Sequence, residues 1–253
     1  MIKLFKYEIH RILCNKFFAG LLVITFLYSY QVMAGEIVLG TANTAPFSEW
    51  SFGMYLSRML PILLIALLFF ISFLYSRQEQ EVRRITDTTP MDQKQLGLLR
   101  CGAMVVGFIC ISVVSVCVGL CFYAVNFRYT DFSHFLLPAL LTLIPAMLFV
   151  LGVGIILGKI HPALIYALMP LVFLLGYLSV PNALDLLGSS FFQKMPLSLP
   201  IGTGGEPAFM VPFSVWIGKT VYAVIGLFLI ILGVTRKSDK TQQSYKVKAG
   251  ASI

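Results

Sequence analysis

The spacing of the charges constrains this chain most. Between Lys16 and Glu36 lie 19 residues without a formal charge, between Arg58 and Arg77 18, and between Arg100 and Arg128 27. Asp131 to Lys159 encloses another 27, and Lys159 to Asp185 encloses 25. At about 1.5 Å per helical residue, a hydrocarbon core of about 30 Å takes roughly 20 residues to cross. The last window, Lys219 to Arg236, holds only 16. A turn from Phe213 to Gly218 lengthens it, with Trp216 at the interface and Lys219 snorkelling its amine outward. The expected fold is an all-α membrane protein of six transmembrane helices. Composition agrees, with 58% hydrophobic and 12% charged residues where a soluble domain has about half and a quarter.

An even number of spans places both termini on one side, and the basic residues say which. Lys3, Lys6, Arg11 and Lys16 precede the first span, and Arg77, Arg83, Arg84, Lys94 and Arg100 lie between the second and third. Lys159 joins the fourth to the fifth, and Arg236, Lys237, Lys240, Lys246 and Lys248 follow the sixth. That is 15 of 19 basic residues on one face, leaving Arg58, Arg128, Lys194 and Lys219 for the other. The positive-inside rule makes the first face, and both termini, cytoplasmic. The net charge of +8 and the basic tail 236–253 then read as orientation beside anionic lipid rather than nucleic-acid binding. The first apolar run has no small-residue cleavage site after it, so the first span is read as retained.

Residues 1–16 read as an interfacial amphipathic helix, because Ile2, Phe5, Ile9 and Ile12 form an apolar stripe while Lys3, Lys6, His10 and Arg11 fall largely elsewhere. Residues 35–57, with Gly35, Gly40, Pro46 and Trp50, read as a compact outer loop, and "NFRYTDFSH" as a short connection. Residues 181–217 mix apolar clusters with Pro181, Pro196, Pro200, Pro207, Pro212 and the glycines 202, 204 and 205. That segment cannot be one helix and is too apolar to float in water. Two short re-entrant helices in the outer leaflet with a glycine turn between them satisfy both constraints; a loop packed over the bundle is the other reading. Pro61, Pro138, Pro145, Pro162 and Pro170 mark kinks in or near spans. "GIILG", residues 154–158, has the small-residue spacing of close helix approach.

Catalytic and coupling chemistry is not visible in the spans. The first five windows carry no ionisable group of the kind a proton- or sodium-coupled carrier uses near the midplane. His10, His134 and His161 fall near span ends, away from any nucleophile. "GKT" at 218–220 resembles the tail of a Walker A loop, but Phe213 stands where that motif needs glycine. Cys110, Cys117 and Cys121 share a helical face without a histidine or carboxylate nearby, so they read as packing residues like Cys101; Cys14 lies on the cytoplasmic side. The chain is therefore read as a non-enzyme with no catalytic, metal or cofactor site of its own.

Residues 77–100, "RQEQEVRRITDTTPMDQKQLGLLR", form the sizeable cytoplasmic loop. A short helix is expected over 78–86, with Glu79 and Glu81 near its positive end. Thr89 as N-cap, Pro90 at the first helical position and Asp92 three residues after the cap start a second helix that runs into the third span. Antiparallel helices need a connection of only about 2–8 residues, so the extra length favours a docking surface of mixed charge over a plain linker.

With that loop, the amphipathic start, six spans and a broken outer segment before the last span, the whole chain resembles the permease subunits of type-2 ATP-binding-cassette exporters. The most specific local match is "EQEVRRITDTTPMDQKQLGLLR". The resemblance implies one transmembrane permease domain over 1–253 in a bacterial cytoplasmic membrane. It makes the loop a coupling helix: Glu79, Glu81, Arg83, Arg84 and Ile85 would face an ATPase subunit, while Thr89, Pro90 and Asp92 would fix the turn. Many relatives carry Gly-Thr where this chain has Arg83 and Arg84. The implied partners are an ATPase subunit, which binds ATP and magnesium, and a second permease subunit, identical or paralogous. Antimicrobial peptides or drugs are the implied cargo, with lipid-linked glycan or haem as the alternative. A membrane scaffold or assembly factor that passes no solute, and a secondary transporter, are the readings from other classes.

Overall fold

The computed structural model of the protein describes residues 2–76, 93–202 and 206–235. Every regular element among them is helical. Helix α1 (Ile2–Leu13) leads to α2 (Lys16–Val32), whose start is capped by Asn15: its side-chain oxygen accepts the Phe17 N–H at 3.2 Å. A π-helical turn, Met33–Ile37, extends α2. The chain then reverses through Gly40, Ala42 and Asn43, all at positive φ. A Cβ at Gly40 would lie 2.0 Å from the Thr44 carbonyl oxygen, so the reversal requires glycine there.

Helix α3 (Glu49–Leu74) begins where the Ser48 hydroxyl accepts the Ser51 N–H at 3.2 Å. Residues 49–57, expected in a loop, are thus the first turns of a helix. It is also the core of the bundle, with 72% of its apolar window buried against 28% for α2. Helix α4 (Gln93–Phe127) returns the chain, and α5 (Leu136–Ile160) follows a short connection in which the Ser133 hydroxyl and N–H both bond Asp131. Those bonds hold the Asp131 carboxyl below its usual range. Helices α6 (Ala163–Leu175), α7 (Ser189–Ser198) and α8 (Phe213–Thr235) complete the order.

Five of these helices are long and apolar enough to cross a membrane, counting α2 with its π turn. The chain is therefore described as an all-helical protein compatible with multiple membrane crossings. The sixth span expected between Lys159 and Asp185 does not form at full length: α6 has 13 residues, about 20 Å, where roughly 20 residues are needed. Its C-cap, Gly176, keeps right-handed backbone, and Val180 before Pro181 is biased toward extended backbone. A Cβ on Gly176 would meet Pro61 at 2.9 Å, so α6 stops beside the middle of α3.

Glycine sets the closest helix contacts. At α5–α8, a Cβ on Gly152 would lie 2.5 Å from the Gly226 carbonyl oxygen, and one on Gly226 2.4 Å from the Leu148 carbonyl carbon. The 154–158 pair packs instead on α3, with Gly154 facing Ile71 and Gly158 facing the Tyr75 ring. Tyr75 closes that contact by donating to the Ile155 carbonyl at 3.0 Å.

The apolar stripe of α1 lies partly on α4. Phe5 packs at Gly102 and Ile12 at Gly107, whereas Ile2 is exposed. Cys117 and Cys121 sit on an exposed side of α4, Cys101 is buried, and all five cysteines are free.

Candidate functional site

Three groups of charged side chains sit inside or against the bundle, and each is held by the fold in a different way. The first is at the end where α1 meets α4. Glu8 is 3% exposed; its Oε1 lies 3.2 Å from Arg100 Nε and its Oε2 3.1 Å from Arg11 Nη2. A carboxylate with both oxygens engaged by guanidinium groups is compensated for its burial. Glu8 thereby staples α1 to the start of α4. Replacing it with alanine leaves two arginines without their shared anion, at a cost of about 2–3 kcal/mol, less than a fully buried pair because Arg11 is one-third exposed. Unfolding of the full-length E8A chain in mixed micelles measures this, and an unchanged midpoint would show the staple to be idle.

The second group lies at the opposite end, in the break between α6 and α7. Apart from a 3-10 turn at Asn182–Leu184 the backbone there is irregular, and irregular backbone inside a protein needs its polar groups satisfied there. Asp185, 4% exposed, does most of this. Its Oδ1 accepts the Gly188 N–H at 2.8 Å, and its Oδ2 accepts those of Ser190 and Phe191 at 2.7 and 3.2 Å. The Ser190 hydroxyl in turn accepts the Val180 N–H at 3.1 Å. From α8, Lys219 donates to the Leu186 carbonyl at 2.7 Å and Tyr222 to that of Leu184 at 2.9 Å. Asp185 attracts the Lys219 ammonium from beyond ion-pair distance, while the ammonium itself bonds the Leu186 carbonyl.

Lys219 therefore does not snorkel outward. It is 4% exposed and acts as a tether between α8 and the break. The segment also departs from the expected pair of helices around a glycine turn. It has a 3-10 turn at Asn182–Leu184 and a ten-residue α7, both before the glycines, while residues 206–212 form no helix. Trp50 of α3 holds that later stretch: its Nε1 donates to the Pro207 carbonyl at 3.1 Å, and its ring packs on Phe191 and Phe209.

The third group flanks a cavity of about 280 Å³ between the π turn, the loop after it, α3 and α7. Arg58 Nε lies 3.1 Å from Glu36 Oε2, but its N–H is not aimed along that contact, and the Nε atom is buried without a hydrogen bond. The interaction is an ion pair only. Elsewhere on the long helices, Asn126 donates to the Phe122 carbonyl of its own helix at 3.0 Å, and Gln31 is exposed.

A polar seam also runs where α2, α3 and α4 meet. Ser29 bonds Ser115 at 3.3 Å and Tyr55 donates to the Ser115 carbonyl at 2.7 Å. The hydroxyls of Thr25, Ser112 and Tyr123 are buried without a hydrogen-bond partner.

The expected ATPase-docking residues Glu79, Glu81, Arg83, Arg84, Ile85, Thr89, Pro90 and Asp92 lie outside the described residues, as does the basic tail 236–253. Among the described residues, no cluster of histidine, cysteine and carboxylates could hold a metal ion. Comparison of the chain with family models, curated proteins and solved structures finds no match.

Proposed function

We propose that the chain is the membrane-spanning permease subunit of an ATP-driven exporter, coupled to a separate ATPase subunit through residues 77–100. The observation that carries this reading is helix α4. Its described part runs unbroken from Gln93, within the charged sequence 77–100, to Phe127 over 35 residues, about 52 Å. A push on the stretch before Gln93 acts along that helix toward the far end of the bundle. The Glu8 staple adds α1 to the same lever.

Supporting observations are the order of elements, with an amphipathic α1 before the first long helix and a broken segment before the last. A packed, glycine-dependent α5–α8 pair gives a rigid unit for α4 to move against. Antimicrobial peptides or drugs remain the proposed cargo, resting on the resemblance alone.

Charge reversal tests the coupling. With Arg83→Glu and Arg84→Glu together, ATPase association and ATP-dependent efflux both fall at least tenfold, because a docking contact of mixed charge then meets like charge. The chain's own melting temperature stays unchanged. Full association and efflux by this variant would remove the coupling assignment.

A further inference from the structure

We propose that the face formed by α2 and the break after α6 docks a second copy of this chain about a two-fold axis. The break lies deep along the bundle. It begins at Gly176, where an added Cβ would meet Pro61, twelve residues and about 18 Å from the Glu49 end of α3. It is still held at Leu184 by Tyr222, nine residues and about 13 Å into α8. In a bilayer that α3 and α8 cross, residues 176–184 therefore sit at hydrocarbon depth. A helix can face lipid there because it satisfies its own backbone, whereas the irregular backbone of residues 178–181 needs protein or water beside it. Ser190 and Tyr222 serve its inward side. On the outward side Tyr177, Leu178, Ser179 and Leu184 are exposed. Three of those four side chains are large and mainly apolar, which favours a protein surface over a water-filled cleft.

Self-complementary chemistry on this face selects a second copy. Helix α2 runs beside the break, with Tyr28 within electrostatic reach of both Tyr177 and Glu36. Gln31 is exposed fifteen residues after Lys16, about 22 Å along α2. Its carboxamide carries both donors and an acceptor, so the same residue of a second copy satisfies it. Four residues on, Gly35 has nothing within 4 Å of an added Cβ, which leaves room for close helix approach. Glu36 is half-exposed although it pairs with Arg58, and Lys194, exposed on α7, is held to the break by the Ser179 hydroxyl. A two-fold axis sets Glu36 against the partner's Lys194 and makes that contact twice. This inference does not depend on the exporter reading, because the pairing is measured without an ATPase or a cargo.

The test is oxidative cross-linking of the full-length chain reconstituted into vesicles at high lipid excess. Gln31→Cys gives about tenfold more disulfide-linked dimer than the wild-type chain, because a two-fold axis brings a residue near it to its own copy. Val224→Cys, at an exposed position on α8, stays at the wild-type level. Adding Glu36→Lys to Q31C lowers the dimer about tenfold, since like charges then meet, and adding Lys194→Glu as well restores it. Rescue by a second charge reversal would not arise from general loosening of the fold. A Q31C yield no higher than that of V224C, or a yield that ignores the two reversals, overturns the interface. Labelling of Q31C by a membrane-impermeant maleimide without dimer shows water on the face and overturns it too. In native membranes, a Q31C cross-link to a different polypeptide in place of a second copy overturns the choice of partner.

Discussion

Replacing Asp185 with alanine destabilises the bundle by about 3–5 kcal/mol, the largest effect expected of any single substitution here. Three backbone N–H groups lose their acceptor at once, and the buried Lys219 ammonium loses the longer-range attraction of that carboxylate. Unfolding in mixed detergent micelles, followed by the fluorescence of Trp50 and Trp216 and by helical circular dichroism, reads it directly. Lys219→Met costs less, about 1–2 kcal/mol, because the carboxylate of Asp185 keeps its three donors and methionine fills the same path. The double variant D185A/K219M is then less destabilised than the sum of the two by about 1–3 kcal/mol, since the alanine no longer strands a cation. Strict additivity would show that the two side chains do not act on each other.

Gly226→Ala gives the second large effect, a loss of about 2–3 kcal/mol. The added methyl would fall 2.4 Å from the Leu148 carbonyl carbon, 2.5 Å from its oxygen and 2.6 Å from the Phe149 nitrogen. These are backbone atoms, which cannot swing aside as a side chain can, so α8 must part from α5. Gly20→Ala is the matched control. Nothing lies within 4 Å of its added methyl, and alanine is the better helix former by about 0.5–1 kcal/mol. The same unfolding measurement therefore moves in opposite directions for the two glycines. A stable G226A chain would place the α5–α8 contact elsewhere.

Charge spacing made the long helices legible because the membrane-crossing part of a helix largely excludes charge: α5 ends at the edge of its uncharged window, while α4 includes seven described residues before Arg100 and α8 begins six residues before Lys219. It failed where helix ends are set by other means. The start of α3 carries a readable signal, Ser48 as N-cap with Glu49 in the first turn, hidden because Gly40 and Pro46 lend the preceding stretch a loop character. The short α6 was masked by a window that counts charges and ignores the Val180–Pro181 step. Glu8 was visible in principle: it sits three residues after Phe5 and four before Ile12, and so on the apolar side of α1. Lys219 was not, because its burial depends on Asp185 and Leu186, more than thirty residues earlier in the chain. The cavity at Glu36 and Arg58 likewise joins residues whose meeting requires the π turn and α7 to be in place.

The exporter proposal is tested most directly by isolating the tagged full-length chain from its own membrane and reconstituting whatever accompanies it into sealed vesicles. The account predicts a stoichiometric ATPase subunit in the preparation, and transport of peptide or drug that requires ATP hydrolysis and persists when ion gradients are collapsed. A preparation without an ATPase, or transport that follows a proton or sodium gradient with no ATP present, would contradict it.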